Sequence, residues 1–271
     1  MTLIVQPGYG GAAVSDPDAQ AYLQAVEVAD NQALEQSVQQ AVNQFVIGCK
    51  ADGIWTAIKA SCILAGARTL AGALVPLVGA APTPFAFLEA DYNRKTGLAG
   101  DGSSKYLNSN RNNNADPQDN YHFSVYGKRL GSLNQVLFGA RNGTNDIGSK
   151  FLIFNTNVSI SFAATPNTDS RQNGTNLSVD SSSLLGVSRS TSASYTSRSA
   201  STPTFVTQTS ATPIIRPISV FTLNNSATSG GMAPILYSSS RLAFYSIGES
   251  LDLALLDARV TALITAFAAI P

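Results

Sequence analysis

Few side chains in this sequence could carry out acid–base or zinc chemistry. His122 is the single histidine. It falls in the predicted strand YHFSVYG, where a histidine usually packs or hydrogen-bonds, and no second histidine or nearby cysteine completes a zinc site. Residues 91–240 contain no glutamate, whereas glycoside hydrolysis normally needs two facing carboxylates. Neither a Gly-x-Ser-x-Gly turn nor a phosphate-binding loop is present. We therefore predict no catalytic residue, no cofactor and no enzymatic activity.

Metal and thiol chemistry have equally few candidates. Asp116, Asp119 and Asp146 fall in predicted loops and could bind calcium together with backbone carbonyls, but they lack the dense oxygen spacing of a dedicated calcium loop. We predict no metal site, although the sequence leaves calcium undecided. Cys49 and Cys62 lie in apolar sequence, which predicts buried thiols rather than a disulfide or a metal site.

Ligand binding is harder to exclude than catalysis. Loops rich in Asn, Asp, Ser, Arg and Tyr could hydrogen-bond to sugar hydroxyls, and a tyrosine ring offers a face on which a sugar can stack. The same composition is typical of loops that only face solvent. The candidate glycan contacts are Tyr121, Tyr126, Tyr195 and Tyr237.

The overall charge and hydropathy exclude two classes of partner. The chain carries 17 basic and 17 acidic residues, and charged residues make up only 13% of it. Because no Lys/Arg cluster could neutralise phosphates, we predict no nucleic-acid binding. Residues 54–81 are apolar, but Lys59 and Arg68 interrupt this stretch and Pro76 and Pro82 punctuate its later half, so we predict no membrane insertion. The first residues lack the basic and apolar segments of a secretory signal.

The composition of the chain changes near residue 90, which indicates that two kinds of structure position these side chains. Residues 16–90 are typical of a helical attachment region. Ser15 or Asp16 caps a first helix, Asp30 opens a second, and DGIWTAIKASCILAGA (52–67) predicts a third. A connector rich in proline and glycine follows.

Residues 91–248 predict an antiparallel β-sandwich, because short alternating or apolar runs are separated by turn-forming residues and no helical pattern intervenes. The expected fold class is therefore α+β, with a sandwich or jelly roll as the β part. Predicted strands cover residues 103–108, 121–129, 133–140, 149–154, 157–163, 175–179, 183–189, 203–208, 213–222 and 241–247.

The two ends of the chain have different patterns. Residues 1–15 predict an extended, apolar N-terminal arm, which we expect to dock on another part of the chain or on a neighbouring subunit. Residues 249–271 predict an amphipathic helix whose polar start is supplied by Glu249, Ser250 and Asp252. Its apolar stripe comprises Leu251, Leu255, Leu256, Val260, Leu263, Ile264 and Phe267.

Three stretches together resemble bacteriophage virion proteins: ADGIWTAIKASCILAGARTLAGALVPLVG (51–79), DYNRKTGLAGDGSSKYLNSNR (91–111) and RLAFYSIGESLDLALLDARVTALITAF (241–267). The similar proteins are tail-fibre-like or adhesin-like, some from cyanobacterial phages, and their central domain is similar to the concanavalin/laminin-G jelly roll. The resemblance spans most of residues 16–267. It implies a virion location after synthesis in the host cytoplasm and other virion proteins as partners. It carries over no catalytic residue.

The resemblance also implies an arrangement of strands and subunits. In jelly rolls of this type the first and last strands commonly lie side by side, which would place SKYLNS (104–109) beside RLAFYSIG (241–248). The C-terminal helix would then bury its stripe against residues 16–66 or against neighbouring subunits. We expect a homo-oligomer; trimers are usual in fibres, but no heptad run enforces one here.

Three functions compete at this point. The first is a non-enzymatic virion structural protein of the tail-fibre or adhesin type, attached through its helical N-terminal part and displaying a lectin-like sandwich to a host-surface glycan. The second is a capsid or neck decoration protein that uses the sandwich as a scaffold. The third is a glycan-degrading enzyme, which the missing glutamates disfavour.

Overall fold

In the computed structural model, the described part of the chain comprises residues 14–130, 135–143, 145–155, 160–168, 172–177 and 182–270. The predicted N-terminal arm therefore lies outside it, apart from residues 14 and 15. No helix in these ranges is long and apolar enough to cross a membrane. The helices are Pro17–Asp30 (α1), Gln36–Ala51 (α2), Leu70–Ala73 (α3) and Leu253–Ala268 (α4), and short 3₁₀ turns cover Trp55–Ala57, Glu89–Asp91 and Asn113–Ala115.

The described strands contain between two and eleven residues. In chain order they are Ile58–Ile63 (β1), Pro76–Val78 (β2), Thr83–Phe85 (β3), Tyr92–Asn93 (β4), Gly97–Ala99 (β5), Tyr106–Asn112 (β6), Tyr121–Arg129 (β7), Gln135–Asn142 (β8), Asn145–Asn155 (β9), Ile160–Thr168 (β10), Gln172–Leu177 (β11), Ser183–Arg189 (β12), Ser194–Ser199 (β13), Thr202–Thr207 (β14), Pro217–Val220 (β15), Leu223–Asn224 (β16), Pro234–Ile235 (β17) and Arg241–Gly248 (β18).

The first helix begins where its sequence predicts. Asp16 is the N-cap, and its carboxylate accepts hydrogen bonds from the N–H groups of Asp18 and Ala19 at 3.0 and 3.3 Å. Pro17 occupies the first helical position, where the missing N–H has no partner to lose. Lys50 at the end of α2 lies 2.7 Å from Asp16, which joins the two helices.

Asp30 ends α1 instead of opening the second helix, so that prediction is wrong. The chain turns at Asn31, whose φ is 51°, and α2 begins at Gln36. The Asp30 carboxylate accepts hydrogen bonds from the Arg68 N–H at 2.7 Å and from the Thr69 N–H at 2.9 Å. Because Thr69 is the N-cap of α3, this aspartate holds α1 against the start of a later element.

The third predicted helix is also wrong. Residues 55–57 form one 3₁₀ turn, and Ile58–Ile63 forms β1, which pairs with β18 on one side and β2 on the other. All of its residues except Lys59 are buried. A short apolar run in a strand covered on both faces has no alternation, so its pattern cannot be distinguished from that of a buried helix.

Two stacked sheets form the β part. Sheet A has the order β14-β13-β12-β7-β18-β1-β2, with β5 pairing with β18 and β4 pairing with β5. Sheet B has the order β11-β10-β9-β8-β15-β6-β3, with β16 joined to β8 and β17 joined to β16. Apart from the parallel β16–β8 contact, the described pairs are antiparallel. The predicted antiparallel, sandwich-like architecture is confirmed at this level.

The helices form a third layer on the outer face of sheet A. Between the sheets, Phe123 of β7 stacks on Phe138 of β8 with ring centroids 5.7 Å apart. On the other side of sheet A, Phe45 of α2 meets Phe244 of β18 at 5.9 Å, edge to face. Sheet A is therefore buried on both faces along its central strands.

This layering changes the expected boundary between helical and β parts. Strands β1, β2 and β3 come from residues 16–90, yet β1 and β2 belong to sheet A and β3 belongs to sheet B. The helical part that precedes the first strand ends with α2 at Ala51. The sequence from residue 58 onward contributes to the sandwich.

The C-terminal helix packs within its own chain, against α2 and sheet A. Asp252 caps it by accepting from the Ala254 N–H at 2.7 Å. Arg259 donates two hydrogen bonds to Asp52, at 2.7 and 2.8 Å. Phe267 is 1% exposed. Of the predicted stripe, Leu255 is 37% exposed and Leu251 is half-buried, whereas the other members are buried.

The expected neighbour of the last strand is wrong. SKYLNS contributes to β6, which pairs with β15 and β3 in sheet B. β18 lies in sheet A between β7 and β1. The first and last strands of the sandwich are still side by side, because the first strand is β1 rather than the segment at 104–109.

Candidate functional site

Three aromatic rings lie together on the outer face of sheet B, which is the face away from the helices. We call Phe85, Tyr106 and Tyr237 the aromatic patch. The Phe85 and Tyr106 rings stack with centroids 4.3 Å apart and planes 7° apart. Tyr237 meets Tyr106 at 6.2 Å with the planes tilted by 60°. Phe85 is 39% exposed, and both tyrosines are half-buried. The patch therefore offers ring surface to solvent.

Strand register places the first two rings of the patch. In β6, Leu107 and Ser109 are buried, so the alternating residues Tyr106 and Asn108 point outward. β3 pairs with β6 so that Phe85 lies opposite Tyr106. Directly opposite residues of an antiparallel pair share a face of the sheet, which explains the stacking.

Tyr237 reaches the same face from a distant part of the chain. Leu236 before it adopts a left-handed conformation with φ 54°, which turns the backbone. Ser238 after it donates its N–H to the Phe221 carbonyl at 2.7 Å and accepts from the Gly102 N–H at 3.2 Å. These bonds hold Tyr237 beside the loop that precedes β6.

Amides and hydroxyls border the aromatic patch. Thr83 and Asn108 lie opposite each other on the same outer face. Asn110 donates from Nδ2 to Thr83 Oγ1 at 2.9 Å and to the Ala81 carbonyl at 2.7 Å. Exposed rings flanked by amide and hydroxyl groups can stack against the apolar face of a sugar and hydrogen-bond to its hydroxyls.

The ionisation of nearby groups is settled by burial and hydrogen bonds. Partial burial and the neighbouring Tyr237 raise the pKa of Tyr106, so its phenol stays protonated and can donate. Partial burial opposes ionisation of Asp101, but hydrogen bonds from Ser104 and the following amides outweigh it and lower the pKa. The loop before β6 therefore carries a fixed negative charge near neutral pH.

The other three candidate tyrosines do not offer a free ring face. Tyr121, Tyr126 and Tyr195 are 0%, 4% and 2% exposed. Tyr121 lies in the core between the sheets, and Lys150 Nζ lies 4.0 Å from its ring centroid. Tyr126 lies on the helix-covered face and accepts from Ser182 Oγ at 3.2 Å. The expectation of glycan contact is corrected for these three residues: the core between the sheets buries Tyr121 and Tyr195, and the helical layer buries Tyr126.

His122 is fully buried in β7 and has two hydrogen-bond partners. Nδ1 lies 2.6 Å from the Glu249 carbonyl, and Nε2 lies 2.7 Å from Ser246 Oγ. Because a carbonyl only accepts, Nδ1 must carry the proton and Nε2 accepts from the serine. Burial lowers the pKa of His122 to about 4. The neutral ring joins β7 to the connection between β18 and α4.

Lys150, Arg111, Asp116 and Arg189 form a group of largely buried charged side chains whose burial the sequence does not predict. Lys150 is fully buried with Nζ 3.1 Å from the Asn113 carbonyl, and burial lowers its pKa to about 7. Arg111 forms a bidentate pair with the buried Asp116. Arg189, also fully buried, donates to the Tyr121 hydroxyl at 3.2 Å. The periodicity of the sequence cannot predict that these residues are buried, because each is buried only through long-range packing.

The candidate calcium ligands have other partners. Asp116 is paired with Arg111, and Asp119 accepts from Ser210 Oγ. The side chain of Asp146 lies outside those described. Among the described residues, no three His, Cys, Asp or Glu side chains come together as a metal site. Cys49 and Cys62 are buried free thiols, as predicted, and burial raises the pKa of Cys49 to about 12.

Comparison with known proteins adds no family assignment. No protein-family model matches the chain, and no curated protein sequence matches it.

Proposed function

We propose that this chain is a non-enzymatic structural protein of a bacteriophage virion, of the tail-fibre or adhesin type. Its helical N-terminal part attaches it to other virion proteins, and its sandwich faces a host-surface glycan. The three stretches that resemble phage virion proteins support the virion assignment. The adjacency of β1 and β18 in one sheet supports the finer description of the sandwich as a lectin-like, concanavalin-like jelly roll.

The aromatic patch is the single observation that carries the contact role. It lies on the face of sheet B that none of the described helices covers, and its stacked Phe85 and Tyr106 rings are bordered by Asn108 and Thr83. A flat, amphipathic surface of this kind suits a saccharide, whose ring has an apolar face and a rim of hydroxyls. Tyr237 is the one candidate tyrosine that takes part in it.

Buried titratable side chains support a structural rather than a catalytic role for the rest of the sandwich. His122, Lys150 and Arg189 are each 0% exposed and hydrogen-bonded to backbone or hydroxyl groups. Such groups fix strands relative to one another. Measured hydrolysis of a bacterial polysaccharide by the purified chain would overturn the non-enzymatic proposal.

Glycan-array binding tests the contact role. The wild-type chain should bind one class of bacterial surface saccharide, and Tyr106→Ala should abolish most of that binding because it removes the central ring of the patch. Tyr237→Ala should weaken binding less, because its ring is tilted away from the stacked pair. Val28→Ala is the control, since this residue is 77% exposed on α1. Unchanged glycan binding by Tyr106→Ala would show that the aromatic patch is not the glycan-binding site.

The burial of three candidate tyrosines favours a second candidate, in which the sandwich is only a scaffold. In that case the protein is a capsid or neck decoration protein. Incubation of the purified chain with isolated heads separates the two proposals: a chain that binds no glycan on the array and coats heads is a decoration protein.

A further inference from the structure

We infer that β14 is a strand-addition interface through which two copies of this chain pair, edge to edge, about a two-fold axis. β14 (Thr202–Thr207) is the last strand of sheet A, and among the described strands only β13 pairs with it. Five of its six residues are exposed, and Phe205 is 70% exposed. The inference does not depend on the proposed glycan contact.

The hairpin geometry shows which backbone groups of β14 face outward. The loop between β13 and β14 is two residues, Ala200 and Ser201, both with positive φ (47° and 62°). In such a hairpin the residues that flank the loop form a hydrogen-bonded pair, and bonded and non-bonded pairs then alternate. Ser199–Thr202 is therefore bonded, whereas Pro203, Phe205 and Thr207 direct their peptide groups away from β13.

Two observations agree with this assignment. Gln208, the next residue after β14, donates its N–H to the Ala193 carbonyl at 2.8 Å, so even-numbered residues face β13. Pro203 has no N–H and stands at an outward position, where β13 requires none. The outer edge of β14 therefore presents the N–H groups of Phe205 and Thr207 and the carbonyls of Pro203, Phe205 and Thr207.

Of the usual protections of an exposed edge strand, β14 carries one proline and no charged residue. Exposed edge strands normally carry lysine or other charges that prevent pairing with another chain. No charged residue occurs from Ser199 to Ile215. Pro203 removes one donor and so restricts the registers in which a second strand can pair.

One antiparallel register satisfies the remaining groups, and it is symmetric. With Phe205 opposite Phe205 of the second copy, each Phe205 N–H bonds to the other Phe205 carbonyl. Each Thr207 N–H then bonds to the Pro203 carbonyl of the other copy. Only the Thr207 carbonyls lack a partner, because Pro203 has no N–H to donate. The two phenylalanines lie on the same face as a direct cross-strand pair, which is favourable for aromatic rings. A self-complementary surface of this kind is the signature of a two-fold dimer.

The hairpin is held in place before any partner arrives. Arg198 Nε lies 2.8 Å from Asp257 on α4, and Ser201 Oγ donates to the same carboxylate at 3.2 Å. Arg198 lies opposite Pro203 in the hairpin, so Phe205 shares the helix-covered face of sheet A but extends beyond the helices. A fixed edge loses little conformational freedom when a second copy pairs with it.

Sedimentation of the full chain with charge and backbone variants tests the interface. The wild type should be a dimer of the 28.3 kDa chain. Phe205→Lys should be monomeric, because it places two like charges opposite each other. Thr207→Pro should also weaken the dimer, because it removes an outward N–H without removing a bond to β13. The control is Val28→Lys, which changes an equally exposed apolar residue on α1.

Disulfide cross-linking tests the register. Phe205→Cys should form a covalent dimer with a mild oxidant such as copper phenanthroline, because bonded antiparallel partners lie about 5.5 Å apart, within disulfide reach. Thr207→Cys should not, because the two Thr207 positions are four residues apart along the paired strands, about 13 Å. Cys49 and Cys62 are buried and leave the background low.

Two results would overturn the inference. The first is a wild-type chain that stays monomeric at its highest soluble concentration. The second is an oligomer, of any size, that Phe205→Lys and Thr207→Pro leave intact while circular dichroism shows both variants folded.

Discussion

His122 is the second residue of β7, and its burial sets its protonation state. Its pKa is lowered to about 4, whereas the unfolded chain titrates near the ordinary value of about 6.5. Between these two values the unfolded state binds more protons than the folded state. The free energy of unfolding should therefore fall as the pH falls through this window, and it should be unaffected by His122 above it.

His122→Gln tests this pH dependence, because glutamine can donate and accept hydrogen bonds but does not titrate. Between pH 7 and pH 4 the wild type should lose up to about 3 kcal/mol more stability than the variant. Urea unfolding of both proteins at several pH values gives the difference, in which the carboxylates common to both proteins cancel. Two stability curves that stay parallel over this range would show that His122 titrates normally.

The sequence predicted the tyrosines as a group but not which of them is exposed. Both Tyr121 and Tyr237 were candidates, yet Tyr237 is half-buried in a surface patch and Tyr121 is fully buried. The difference comes from the helical layer and from sheet stacking, which are long-range properties. Phe85 and Tyr106 could not be paired from sequence either, because their register depends on how β3 meets β6.

At the scale of the elements, the ends of the chain were easier to predict than its middle. The caps are local signals: of the two candidates Ser15 and Asp16, Asp16 caps α1. The last helix was predicted a few residues too early, because α4 begins at Leu253 after its cap Asp252, and Leu251 precedes it. β1 was predicted as a helix because a strand buried on both faces lacks the alternation that identifies strands. β13 was not predicted, although SYTSRS alternates, because its serines resemble a loop.

Phe267 on α4 gives the element-scale prediction. It is 1% exposed, and its ring lies against Gly66, where an added Cβ would come within 2.7 Å of it. Phe267→Ala should lower the free energy of unfolding by about 3–5 kcal/mol, because it removes a large buried side chain and leaves a cavity. Chemical denaturation measures the change.

Leu255→Ala is the matched control on the same helix. Leu255 is 37% exposed, so its truncation should cost less than about 1 kcal/mol. Equal losses for the two variants would show that α4 is not docked through the face described.

At the scale of the whole molecule, the three layers depend on one another. The outer face of sheet A carries Tyr126, Leu184 and Phe244, which α2 and α4 cover. A β-sandwich without the helices would therefore expose a continuous apolar surface. The helical parts are part of the folded body rather than an appendage.

Removal of residues 249–271 tests this dependence. The shortened chain should bind a hydrophobic dye such as ANS and precipitate, because the apolar face of sheet A is uncovered. Dye fluorescence and the soluble fraction after expression are the measurements, with Leu255→Ala as the full-length reference. A soluble, dye-negative shortened chain with an unchanged melting temperature would contradict the layered packing.

The position of β18 between β7 and β1 has a consequence for biosynthesis. Sheet A cannot close until the segment at 241–248 has left the ribosome, because β7 and β1 meet only through it. Until then, the edges of β7 and β1 that will pair with β18 are unpaired. These edges could pair with other nascent chains on the same messenger RNA, and this pairing must be prevented. Completion of sheet A therefore has to wait for the synthesis of β18.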